Sequence, residues 1–278
     1  MRIISICPSN TELMAYLDCL HMLVGVDDYS DWPESVKDLP RLGPDLCINM
    51  NLVERLQPDL VVASLSVPGM ERNIEELEKR RISHIVLNPQ SLEDISNDLL
   101  TLAAKLGIQE KGEQVVARYR DFLAEYRNIS ATIQEKQTLY WEWWPKPVFS
   151  PGKVNWLTEI SELAGGVNIF QDEDVASVQT GWETIRKKNP AHICLAWVGV
   201  QTNKMNPAIV AKREGWNEIE AIQKGHIHIM EESLYCRPSP RLLLGLKKVA
   251  ALIHPEKYPV NDGVDPLLRE EMRENRTN

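Results

Sequence analysis

The sequence predicts an α/β protein: two similar Rossmann-like lobes with parallel sheets, joined by one long helix, with a ligand cleft between the lobes. Three observations carry this reading. Short apolar runs such as "RIISIC" and "DLVVAS" alternate with amphipathic stretches, the pattern of parallel strands and crossover helices. Residues 110–134 break that pattern: Val115, Tyr119, Phe122, Tyr126, Ile129 and Ile133 recur at spacings of three and four, with charges between them and no proline. Beyond them the order of elements in the first half returns.

In chain order, "RIISIC" reads as a buried strand, and Ser9 with Glu12 as a capping box opening the next helix. "NLVERLQPDLVVAS" gives a helix, a Pro-Asp turn and a buried strand, and "EELEKRRISHIVLN" gives helix and strand again. "LEDISNDLLTLAAKLG" is a closing helix that ends at Gly107. The run 110–134 then forms a helix about 36 Å long at 1.5 Å per residue. In the second half "TLYWEWW" is the new first strand, and "WLTEISELAGGVNIF" repeats the helix and turn of "NTELMAYLDCLHMLVGV". "WETIRKKNPAHICLAW", "WNEIEAIQKGHIHIM" and "SPRLLLGLKKVAALIHPE" echo the remaining elements in register. The expected division is an N-terminal lobe over 1–108, a linking helix over 109–136, a C-terminal lobe over 137–256 and a polar, loosely held tail over 257–278.

Composition excludes several classes. A net charge of −9 argues against nucleic acid and anionic membrane as partners, both of which need a basic patch. No apolar run approaches the ~20 residues of a membrane span, so no membrane insertion is expected. The five cysteines are scattered without a CxxC pair, which reads as free, buried, reduced thiols. The N-terminus lacks a basic region followed by an apolar one. As written the chain reads as cytoplasmic; the alternative is a periplasmic or other extracytoplasmic protein whose leader has been removed.

No Ser-His-Asp order, phosphate loop or glycine-rich fingerprint is present, so no catalytic residue is assigned and the chain reads as a non-enzyme. His226 and His228 alternate along "GHIHIM" and share a face, but the spacing offers no third metal ligand, so a buried or edge pair is expected and no metal site. The aromatic residues carry the stronger signal. "LYWEWW" puts three of the eight tryptophans within four positions. Ligands of parallel sheets gather at the carboxyl ends of strands, and aromatic residues fall at those corners: Tyr29 and Trp32 in "DDYSDWP", Trp143 and Trp144 before Pro145, Trp197 ending "CLAW", and Tyr235 beside Arg237 in "SLYCRPSPR". A wide, flat, partly apolar ligand fits such a lining. Four half-covered rings at about 25 cal/mol per Å² give roughly 8–12 kcal/mol before the costs of association. Trp156, Trp182 and Trp216, which begin or cap helices, read as structural.

The stretch "RIISICPSNTEL…VGVDDYSDWP…NMNLVERLQPDLVVAS", followed by "PVFSPGK", "AGGVNIF", "WETIRKKNP" and "RPSPRLLLGL", resembles cobalamin-binding proteins of bacterial ABC importers, helical-backbone periplasmic binding proteins related to iron-siderophore binders. The resemblance covers nearly all of residues 2–256. It implies a corrinoid, with cobalamin first, held as a ligand rather than a covalent cofactor, with Tyr29, Trp32, Tyr235 and Arg237 among the binding residues. It also implies docking on an ABC permease through one glutamate per lobe, Glu71 in "GMERNIEEL" and Glu183 in "TGWETI". Two aromatic positions of some relatives are filled here by Ser64 or Leu65 and by Ser177. The alternatives are an iron-siderophore or haem binder of the same fold and, less favoured, a chelatase-like enzyme, which requires His226 or His228 beside a carboxylate in the cleft.

Overall fold

Two sheets with the same strand order organise the chain. A computed structural model describes residues 1–268, which divide into one unit of Met1–Tyr119 with Pro238–Pro240 and a second of Arg120–Arg237 with the described chain from Arg241 onward. The division falls within the long helix α5 (Gln109–Ala131).

In the N-terminal unit, β1 (Ile3–Ser5), β2 (Leu23–Val26), β3 (Leu60–Ser64) and β4 (His84–Leu87) form a parallel sheet ordered β2-β1-β3-β4. The central strands β1 and β3 are apolar and buried, as a strand covered on both faces must be. The connecting helices are α1 (Pro8–Tyr16), α2 (Met50–Arg55), α3 (Glu71–Lys79) and α4 (Leu92–Leu106). Ile4, Ile6, Val53, Val61, Ala63 and Leu77 share one core between strands and helices. Gly107, with φ of +73°, ends α4 in the left-handed conformation as its sequence position predicts.

The expected capping box at Ser9 and Glu12 is corrected. Pro8 opens α1 behind Cys7, which offers no side-chain cap. Glu12 is buried and accepts a short hydrogen bond from the Ser239 hydroxyl. The true capping box is at α4: Asp94 N–H donates to Ser91 Oγ and Ser91 N–H to Asp94 Oδ2, each at 3.0 Å.

In the C-terminal unit β5 (Gln137–Glu142), β8 (Gly166–Asn168), β10 (His192–Leu195) and β11 (Ile227–Ile229) form the second parallel sheet, ordered β11-β10-β5-β8. First, second, third and fourth strands therefore take the same places as in the N-terminal unit, which the repeated sequence pattern anticipates. α6 (Trp156–Leu163), α7 (Trp182–Lys188), α8 (Pro207–Ala211), α9 (Glu220–Gln223), α10 (Glu232–Tyr235) and α11 (Leu242–Ile253) connect and cover it.

One part of this unit has no counterpart. β6 (Trp144–Pro145), β7 (Val148–Pro151) and β9 (Ser177–Thr180) form a small antiparallel sheet, with Trp144 opposite Phe149. The "WEWW" segment is thus not one strand: Glu142 ends β5 and Trp144 begins a hairpin. The residues after α11 are also held more firmly than a polar tail predicts. Tyr258 is buried against Tyr126 and donates to Leu163 O at 2.6 Å, and Lys247 pairs with Asp262. The rest of that tail, 269–278, lies outside the described residues.

Candidate functional site

In both sheets the chain leaves the first strand toward opposite neighbours, so the carboxyl ends of β1 and β3, and of β5 and β10, are topological switch points where open α/β sheets bind ligands. In the N-terminal unit that point is small and polar. Thr11 Oγ1 donates to Ser5 Oγ at 2.8 Å and lies 2.7 Å from Ser30 Oγ, which donates to Asp27 Oδ1 at 2.5 Å. Across the strand ends, Ser64 Oγ donates to Ser66 Oγ at 2.9 Å. The loop after β2 carries the aromatic residues. Tyr29 is 52% exposed, its N–H fixed on Asp27 Oδ2 at 2.8 Å. Trp32 is half-buried, its ring 5.5 Å from that of Tyr16.

In the C-terminal unit the switch point is aromatic. Ala196 N–H donates to Glu142 O at 3.0 Å and Val198 N–H to Trp143 O at 3.2 Å, which brings Trp143 and Trp197 onto adjacent chain ends. Trp144 follows on β6 and is 43% exposed. Trp143 N–H is bonded to Phe149 O at 2.9 Å, while its buried indole Nε1 has no hydrogen-bond partner. Such an orphaned donor costs about 1–3 kcal/mol. Trp141 is in the core and donates through Nε1 to Ser161 Oγ at 2.8 Å.

Beneath these indoles lies a charged group that the sequence reading missed. The Glu142 side chain is 0% exposed and accepts from Arg213 Nη1 at 2.5 Å and Nη2 at 2.8 Å, Tyr140 Oη at 2.7 Å and Trp197 Nε1 at 3.0 Å. The Arg213 guanidinium is flanked by Trp182 and Trp216, 4.8 and 4.5 Å from their ring centroids. Burial, and then the neighbouring carboxylate, hold the Tyr140 phenol well above its ordinary pKa. Nothing local in the sequence pairs Glu142 with Arg213, 71 residues away.

Tyr235 is a correction. It is 1% exposed, its ring packs 5.3 Å from Trp141, and its hydroxyl donates to Gly245 O at 3.0 Å. It is a core residue rather than a ligand-facing one. Where it reaches a cavity, that cavity is a pocket of about 530 Å³ beside β11, also lined by His228, Glu231, Lys248 and Leu252. Arg237 is almost buried and already pairs with Glu232 Oε2 at 3.0 Å. Of the two glutamates, Glu71 is exposed and accepts Gly69 N–H at 2.7 Å. Glu183 is gripped by Arg186 at 2.9 and 3.0 Å with Lys187 at 3.6 Å; the Arg186 hydrogen bond lowers its pKa.

The histidines form a stack of three. His192 lies 4.6 Å from His226 and 5.3 Å from His228, ring to ring, and His192 Nδ1 is 3.0 Å from His228 Nε2. Burial and then the other imidazoles push His192 down to about 3 and His228 to about 4. Among the described residues no group of three His, Cys, Asp or Glu side chains is arranged to hold a metal ion. Cys7, Cys19 and Cys194 are buried thiols as expected, whereas Cys47 is exposed.

The family model described as "Periplasmic binding protein" matches residues 3–234. An uncharacterized ABC transporter substrate-binding lipoprotein of Bacillus subtilis is 28% identical over 92% of this chain and 81% of its own. A vitamin B12-binding protein of Vibrio cholerae is 27% identical over 91% of this chain and 88% of its own. Among solved structures, the periplasmic vitamin B12 binding protein of Vibrio cholerae superposes with a TM-score of 0.75 at 26% identity, covering 92% of this chain and 98% of that one. A periplasmic heme binding protein from Pseudomonas aeruginosa gives 0.81 at 21% identity over 96% of both chains, a likeness of fold.

Proposed function

Because the chain belongs to the periplasmic binding protein family and is a substrate-binding protein of ABC importers, we propose that it captures a corrinoid, cobalamin first among them, without transforming it. The observation that carries this is Trp144, 43% exposed at the carboxyl end of the first strand of its unit, with Trp143 and Trp197 on the adjoining chain ends. A large exposed indole beside a switch point offers a flat apolar face where ligands of such sheets bind. In the N-terminal unit, taken by itself, the proposed ligand contacts are Tyr29, exposed in the loop after β2, and Trp32, half-buried against Tyr16. Arg237 contributes less than its sequence position implies, because Glu232 already neutralises it.

A haem or ferric siderophore is the second reading and rests on likeness of fold. The relatives named as periplasmic or as a lipoprotein favour the extracytoplasmic alternative over the cytoplasmic one. Glu71 and Glu183 are the proposed permease contacts, and for Glu183 a permease arginine has to displace Arg186. Charge reversal at either glutamate should lower transport in reconstituted vesicles and leave ligand affinity unchanged.

Tryptophan fluorescence separates the ligand readings. Cyanocobalamin, haemin and a ferric hydroxamate are each titrated into the purified protein. The corrinoid reading expects cyanocobalamin to bind at least about tenfold more tightly than the other two, a difference of about 1.4 kcal/mol. Tighter binding of haemin would replace it with the haem reading.

A further inference from the structure

The indoles at the carboxyl ends of β5 and β10 are tied to one buried ion pair by two separate routes. On one, Trp197 Nε1 donates to Glu142 Oε1 at 3.0 Å, so the carboxylate fixes the edge direction of that indole. On the other, the Arg213 guanidinium lies against both Trp182 and Trp216, whose rings meet edge to face at 72° with centroids 6.4 Å apart. Trp216 Nε1 donates to Trp182 O at 3.3 Å, and Trp182 Nε1 to Pro145 O at 2.9 Å. Pro145 is the neighbour of Trp144 on the two-residue strand β6. A strand that short has little ladder of its own and depends on such side-chain ties.

Stability does not call for a charged pair at this place. Buried ion pairs are often no more stable than apolar residues of the same volume, because desolvation offsets the attraction. What the pair adds is direction. A guanidinium meeting a carboxylate by two parallel bonds fixes both planes, and a cation held in the corner between two edge-to-face rings favours their placement around it. Glu142 is the last residue of a central strand and pairs with Leu195 of β10, so the frame is anchored in the sheet.

We propose that Glu142 and Arg213 are positioning residues for the ligand-facing tryptophans: together they set the orientation of Trp197 and, through Trp182, the placement of the Trp144 hairpin. Neither side chain is exposed enough to face a ligand, at 0% and 5%. Fixed indoles suit a rigid, flat ligand, since a pre-organised face loses less freedom on binding. The consequence for affinity rests on the function proposed above; the positioning itself does not.

Protein labelled with 5-fluorotryptophan tests both parts, with ¹⁹F lines assigned by single Trp→Phe changes. In ligand-free protein, Glu142→Gln should shift or broaden the Trp197 and Trp144 lines and leave Trp141 in place, since Trp141 is bonded to Ser161 outside the network. Trp182→Phe keeps a ring against Arg213 but removes the Pro145 bond; besides its direct neighbour Trp216, it should move the Trp144 line and leave the Trp197 line in place. This milder variant decides the matter should Glu142→Gln fail to fold. Cyanocobalamin affinity should fall at least about tenfold in the folded Glu142→Gln protein. Unmoved Trp144 and Trp197 lines would overturn the positioning, and unchanged affinity with moved lines would overturn its role in binding. Should the unaltered protein bind no cyanocobalamin, the corrinoid reading fails while the fluorine lines still decide the positioning.

Discussion

Arg213 grips Glu142 by two hydrogen bonds, 2.5 and 2.8 Å long, across 71 residues of sequence and with both side chains buried. Removing one partner strands the other charge in the core. Arg213→Met should therefore cost about 3–5 kcal/mol, while Glu142→Leu combined with Arg213→Met should recover most of that loss. Urea denaturation of the single and double variants checks this. A double variant as weak as the single would mean that the charges themselves hold the unit together.

Trp144 and Tyr235, both expected to face a ligand, should now behave oppositely. Trp144→Ala removes an exposed ring and should weaken corrinoid binding by about 1–2 kcal/mol with little change in Tm. Tyr235→Ala empties a core site and should cost about 3–5 kcal/mol of stability. Parallel titration and thermal melts of the two variants separate binding from packing.

Asp98 has a buried Oδ2 without a partner, and burial, followed by Asp94, raises its pKa from 3.8 to about 7. The native state thus holds this proton more tightly than the unfolded chain. The stability so gained is full below pH 3.8 and is lost as pH rises through about 7. Asp98→Asn should be more stable than the unaltered protein at pH 8, by on the order of 1 kcal/mol, and lose that advantage in acid. Urea midpoints at pH 4.5 and 8 check the sign.

The histidine stack acts in the opposite direction. His192 and His228 lie at about 3 and about 4, below the ordinary 6.5, because burial and the neighbouring imidazoles disfavour their charged forms. His254 and Lys224 add to the effect at His192. Unfolded chains take up these protons near pH 6.5, so stability is full above that value and is lost as pH falls toward 4 and 3. The slope is at most about 1.4 kcal/mol per pH unit for each histidine. Replacing His192 and His228 together with Gln should flatten it, as denaturation at pH 7.5 and 5 will show.

The repeated strand order was readable because each buried strand announces itself within a few residues: "RIISIC" and "HICLAW" need no distant partner to be apolar. Long-range pairings left no such mark. Glu142 looks like any strand glutamate until Arg213 is placed beside it, and His192 joins His226 and His228 only because β10 lies next to β11. Glu12 mimics a capping residue but bonds Ser239, 227 positions away. Tyr235 stands next to a loop rich in proline, yet its hydroxyl finds Gly245 on the following helix and the ring follows it inward. Local pattern revealed which residues are aromatic corners; tertiary contacts decided which corners stay open.

The most direct measurement is isothermal titration of the purified protein with cyanocobalamin. One ligand should bind per chain with a Kd of about 1 μM or tighter, equivalent to about −8 kcal/mol, with a much weaker response in Trp144→Ala. No binding heat at about 100 μM ligand, a limit of roughly −5 kcal/mol, together with no quenching of tryptophan fluorescence, would contradict it.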